Sequence, residues 1–130
     1  MNKKNTMTQR TPKKNKLERD SEGKPKITLN PLEETAVNTP TQEKYDTLMQ
    51  VYECGEWRWI GGDLPTQGNQ WNMYWEKTCV SVRSRFGYGN EKCYRKTMRY
   101  KVISIKKFCK MQNITPDMFR EIKNYFETKK

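Results

Sequence analysis

The chain has 130 residues, enough for one domain, and a mean hydropathy of −1.14 that leaves no apolar run able to cross a bilayer. Its 26 lysines and arginines against 15 aspartates and glutamates give a formal net charge of +11, which favours polyanionic partners. Histidine is absent, which removes the commonest general base and any Cys-His or Ser-His pair.

Residues 1–40 carry no aromatic side chain and are rich in lysine, asparagine and threonine, with Pro12, Pro25 and Pro31 interspersed. Such a stretch buries too little apolar surface to offset its ordering entropy, so a flexible basic arm is expected there, followed by a single domain over 41–130. The N-terminus is basic but has no apolar middle of the secretory kind, and the expected compartment is a cytoplasm.

Structure is expected to start at Thr39-Pro40-Thr41-Gln42, with Thr39 as helix cap, Pro40 at the first helical position and Gln42 closing a capping box. Tyr45, Leu48, Met49 and Tyr52 then form one apolar stripe, and Gly55 stops the helix. The stretch Tyr52–Trp75 holds all four tryptophans, and large rings of this kind organise the core of a small domain. Glu56–Ile60 alternates as a strand with Trp57 and Trp59 on one face. A polar loop from Leu64 to Gln70 follows, after which Trp71, Tyr74 and Trp75 are expected to re-enter the core.

Thr78–Phe86 has a period of two, with Val80, Val82, Ser84 and Phe86 on a buried face and Cys79, Ser81, Arg83 and Arg85 on a basic one. Gly87 and Gly89 are expected to form a turn. A short helix capped by Asn90 should then turn Tyr94 and Met98 inward. Tyr100–Ile105 is the most β-rich run, a strand expected to lie parallel to its neighbour. Ser104 caps a short helix that buries Phe108 and Cys109. The last helix has Thr115 as cap, Pro116 at its first position, and an apolar face of Met118, Phe119, Ile122, Tyr125 and Phe126. The sum is an α+β domain with a small twisted sheet of about three strands packed with several helices.

Charge is the main functional signal. Thr41–Glu76 holds two cations against six carboxylates, whereas Lys77–Lys110 holds eleven cations against Glu91 alone. The candidate contact residues are Arg83, Arg85, Lys92, Arg95, Lys96, Arg99, Lys101, Lys106 and Lys107, with Tyr88 able to stack on an unpaired base. A solvated basic surface with no partner explains the same composition equally simply. Cysteines 54, 79, 93 and 109 form no C-x-x-C pair and are expected to be reduced and mostly buried. No carboxylate cluster has metal-ligand spacing and no phosphate-binding glycine loop follows a strand, so neither catalysis nor a metal or other cofactor is expected.

The pattern Gly55-x-Trp57-x-Trp59, Gly62-x-x-Pro65-Thr66, Trp71, Thr78-Cys79 and Tyr100-x-Val102-Ile103-Ser104 resembles small proteins encoded by bacteriophages and mobile elements. The resemblance covers about residues 43–110 and implies a context, that of an accessory or host-takeover protein in a bacterial cytoplasm, without an assigned activity. The expected function is therefore a non-enzymatic, phage-type nucleic-acid binder acting mainly on phosphates. The competing expectation is an inhibitor or assembly factor, for example of a host defence system, that binds an acidic protein or nucleoprotein. A ligand pocket beside Trp57, Trp59 and Trp71 is a third.

Overall fold

The computed structural model describes residues 17–129. Two short strands, β1 (Glu18–Arg19) and β2 (Pro25–Lys26), form an antiparallel hairpin. Its turn is closed by Asp20, whose Oδ1 accepts hydrogen bonds from the amides of Glu22 and Lys24 at 2.8 and 3.0 Å, while Gly23 supplies a φ of 81°. β3 (Thr35–Asn38) follows and is an inner strand of the main sheet. The fold thus begins earlier than residue 41. Residues 17–40, expected as part of a flexible arm, supply this inner strand together with the core side chains Ile27, Leu29 and Val37. Arg19, Lys24 and Lys26 pair with Glu121, Glu53 and Glu56, which fastens the hairpin to the domain and draws these cations away from any phosphate. Residues 1–16 of the expected arm lie outside the described residues.

Helix α1 (Gln42–Cys54) is capped two positions later than the sequence suggests. Thr41, not Thr39, accepts the amide of Lys44 at 3.1 Å. Thr39 is buried instead and prolongs β3, its amide and hydroxyl both donating to the carbonyl of Thr78. The expected stripe of Tyr45, Leu48, Met49 and Tyr52 is buried, each ring or branch removing enough apolar area to contribute about 1.5–3 kcal/mol. Gly55 ends the helix with φ −87°, and its absent Cβ leaves the space filled by Leu29.

The short strand β4 (Arg58–Trp59) places Trp57 and Trp59 inward. Tyr52 meets Trp57 and Phe86 edge-on, at centroid distances of 4.9 and 4.7 Å, and Trp59 meets Phe86 at 4.4 Å. The other two tryptophans behave differently. They lie on two 3₁₀ turns, Trp71–Met73 and Trp75–Lys77, neither of which buries a residue. Trp71 packs half-buried on the core and donates its Nε1–H to the carbonyl of Thr39, whereas Trp75 is 58% exposed and does not re-enter the core.

The strand expected over Thr78–Phe86 is broken in two. β5 (Thr78–Ser81) is buried on both faces, and β6 (Arg85–Phe86) leaves the main sheet to pair in parallel with β4. Ser84, expected inward, is exposed in the bend between the two strands, and its carbonyl accepts the amide of Arg58 at the start of that pair. Gly87 and Gly89 do not form an isolated turn: β7 (Tyr88–Asn90) returns antiparallel beside β5. The chain then passes through a π-helical turn, Cys93–Thr97, into β8 (Lys101–Ile103). β8 lies parallel to β3, so the sheet order is β7-β5-β3-β8, a small four-stranded sheet where about three strands were expected.

Helices α2 (Ile105–Met111) and α3 (Pro116–Thr128) close the domain. Ser104 and Thr115 cap them as the sequence predicts, accepting the amides of Lys107 and Met118. Phe108, Met118 and Ile122 are buried, while Cys109, Phe119 and Phe126 are half-buried against the same core. Between these helices, buried Gln112 makes a paired contact with the backbone of Asn30, accepting at 2.8 Å and donating at 2.7 Å. The assembly is α+β, as expected.

Candidate nucleic-acid interface

A pleated strand points alternate residues to opposite faces, and the central strands sort the core accordingly. Val37, Val80 and Ile103 face the main core with α1, whereas Ala36, Cys79 and Val102 face the other side with Tyr94 and Tyr100. That second face is covered by the turn between β7 and β8 and not by a long helix. Asn90 Oδ1 accepts the amide of Lys92 at 2.7 Å and starts the turn. The amide of Met98 donates to Cys93 at 2.9 Å, the i→i+5 pattern of a π-helical turn. Buried Tyr94 is the rivet: its ring lies 5.2 Å from that of Tyr100, and a Cβ on Gly89 would come within 3.2 Å of it. Burial pushes the Tyr94 phenol up to about 12, so it holds its proton across the physiological range.

With Tyr94 turned inward, the turn presents its cations outward. Lys92, Arg95, Lys96, Arg99 and Lys101 are all exposed. Arg95 is tied to Glu91 at 2.8 Å, and Lys92, Lys96, Arg99 and Lys101 have no carboxylate within ion-pair distance among the described residues. Arg99 has φ 61°, a left-handed conformation that costs a non-glycine residue about 1–2 kcal/mol, and it sits where the turn enters β8. Met98, expected inward, is 43% exposed beside these cations, because the π-helical turn adds a residue and rotates it off the sheet.

The remaining sequence-predicted residues do not share this surface. Arg83 lines a cleft of about 600 Å³ with Glu33, Glu34 and Tyr100, near the β8 end of the turn but opposed by two carboxylates. Arg85 is the register partner of Arg58 in the β4–β6 pair, so Arg83 and Arg85 are not neighbours on one regular strand face. Tyr88 pairs with Val80 and stands on the α1 side of the edge strand, 5.8 Å from Trp59 and 6.2 Å from Tyr74. It is separated from the cations of the turn by the sheet. Lys106 and Lys107 belong to the first turn of α2, which packs on the main core. The eleven cations of Lys77–Lys110 are thus divided among the 3₁₀ turn that ends at Lys77, the bend holding Arg83, the β4–β6 pair, the covering turn and α2.

Cys54 and Cys79 are buried, Cys109 is half-buried and Cys93 is exposed, all four unbonded to one another. Burial raises the Cys54 thiol to about 12 and those of Cys79 and Cys109 to about 11, which makes them poor nucleophiles and poor metal ligands at neutral pH. Among the described residues no group of three or more Cys, Asp or Glu side chains is placed to hold a metal ion. No helix among them is long and apolar enough to cross a membrane. Comparison with protein-family models, with curated proteins and with solved structures returns no match for this chain.

Proposed function

We propose that the protein is a non-enzymatic nucleic-acid binder that holds phosphates with the turn covering the second face of its sheet. The observation that carries this reading is the concentration of Lys92, Lys96, Arg99 and Lys101 on one short, outward-facing layer that is anchored by a buried tyrosine, with Glu91 the one carboxylate within it and Glu33 and Glu34 beside its β8 end. Phosphates spaced along a strand match a row of cations without requiring base contacts, so binding has little sequence preference and weakens with salt. The phage-type context and bacterial cytoplasm suggested by the tryptophan-glycine-proline pattern are compatible with such a role. Fluorescence-anisotropy titration with labelled single- and double-stranded oligonucleotides at low salt is the test. Binding that drops in a Lys92→Ala/Lys96→Ala variant supports the proposal, and the absence of binding at low salt refutes it.

A further inference from the structure

On the opposite side of the sheet, the N-terminal parts of α1 and α3 and the exposed side of α2 enclose an open groove of about 690 Å³. Its lining includes the apolar side chains Ile105, Cys109, Ile114, Pro116 and Phe119. Five cations surround these: Lys44, Lys106, Lys110, Arg120 and Lys123. Glu43 is the single carboxylate among the lining residues, and it is engaged by Lys123 at 3.0 Å. Arg120 is held by Asp117 at 2.8 Å on its own helix. Lys44, Lys106 and Lys110 have no carboxylate within ion-pair distance among the described residues. Of these five, Lys106 and Lys110 lie in the basic segment of the sequence and only Lys106 is among its candidate contacts, whereas Lys44, Arg120 and Lys123 come from α1 and α3.

We infer that this groove docks an acidic amphipathic helical segment of a partner protein. A helix laid in a groove offers apolar anchors at i, i+3 and i+4 to such a floor, and carboxylates flanking those anchors meet the cations on the rim. Charge excludes the nearer alternatives. A second copy of the chain docking groove to groove would bring two cationic rims together. The segment 1–16 carries six cations and no carboxylate, so it is repelled from the same rim. A nucleic-acid strand would satisfy the cations but would leave the aliphatic part of the floor without matching apolar anchors.

The test is a selection from a displayed library of random peptides of about 16 residues, long enough to span roughly 24 Å as a helix, against the intact protein at physiological salt. Enriched sequences should be acidic, with apolar residues at i, i+3 and i+4, and a labelled representative should shift amide NMR signals of α1, α2 and α3 but not those of Glu91–Lys101. Its affinity should fall about tenfold or more in Lys106→Glu/Lys110→Glu, two exposed positions whose change leaves the thermal midpoint in place, and should persist in Lys92→Ala/Lys96→Ala. Enrichment of basic or unpatterned sequences, shifts confined to the covering turn, or equal affinity for the Lys106→Glu/Lys110→Glu variant would each overturn the inference. Because the two double variants act on different surfaces, failure here is distinguishable from failure of the nucleic-acid reading.

Discussion

Arg99 carries both a charge on the candidate surface and an unfavourable backbone conformation, and these two properties separate on substitution. Glycine adopts φ 61° without the Cβ penalty, so Arg99→Gly is expected to hold or raise stability by up to about 1 kcal/mol while weakening oligonucleotide binding. Urea denaturation beside an anisotropy titration checks both, and a loss of stability with unchanged affinity would make the residue purely structural. The buried acids make a second prediction. Desolvation raises the thiols from an ordinary 9.0 to about 12 at Cys54 and about 11 at Cys79 and Cys109. It also raises Tyr45 and Tyr94 from 10.0 to about 12. In each case the folded state keeps a proton that the unfolded chain releases, so their contribution is complete below pH 9 and is lost as pH rises from 9 toward 12. The urea midpoint should be level between neutrality and that point and fall steeply above it; a midpoint that rises with alkalinity would contradict the burial of these groups.

At the scale of elements, three helices have a Ser or Thr cap, and two of those caps were legible from the spacing of Ser104 and Thr115 ahead of an apolar run. The cap of α1 was not, because Thr39 and Thr41 both precede Gln42 and only the sheet decides between them. The hydrogen bonds of Thr39 to Thr78 claim the first threonine for β3 and leave the second for the helix. Thr41→Ala should therefore cost about 1 kcal/mol through the lost cap, read as a lower urea midpoint without a change in the slope. The break after β5 was hidden for a related reason. Thr78–Phe86 alternates without interruption, yet the amide of Val82 turns to Thr35 and that of Arg58 takes Ser84, partners more than twenty residues away that no local period reveals. By contrast the faces of α1 and α3 were legible because their apolar spacing is long and helical.

For the whole molecule, the largest departure from the sequence reading is the place where the fold begins. Thr35–Asn38 is four residues long, without an aromatic, and sits between Glu33-Glu34 and Pro40, so nothing local marks it as the strand between β5 and β8. A chain restricted to 41–130 lacks this strand and Leu29 against Gly55, and it should show no cooperative thermal unfolding; a sharp transition would return the boundary to residue 41. Charge tells a similar story. The basic character of Lys77–Lys110 was plain in sequence, but its division among separate surfaces depends on how the sheet is wound. Of the cationic rim around the helical groove, only Lys106 was marked in the sequence, and nothing local joined it to Lys44 on α1 or Lys123 on α3.

The decisive measurement is the salt dependence of oligonucleotide affinity in the unmodified protein and in variants of each surface. With Lys92, Lys96, Arg99 and Lys101 on phosphates, log affinity for duplex should fall linearly with log salt at a slope of roughly −3 to −4, and each removed cation should make it shallower by about one. Arg85→Ala or Lys107→Ala should change the slope little. A slope near zero, or one that responds to Arg85 and Lys107 but not to Lys96 and Arg99, would contradict the assignment of the covering turn as the nucleic-acid surface.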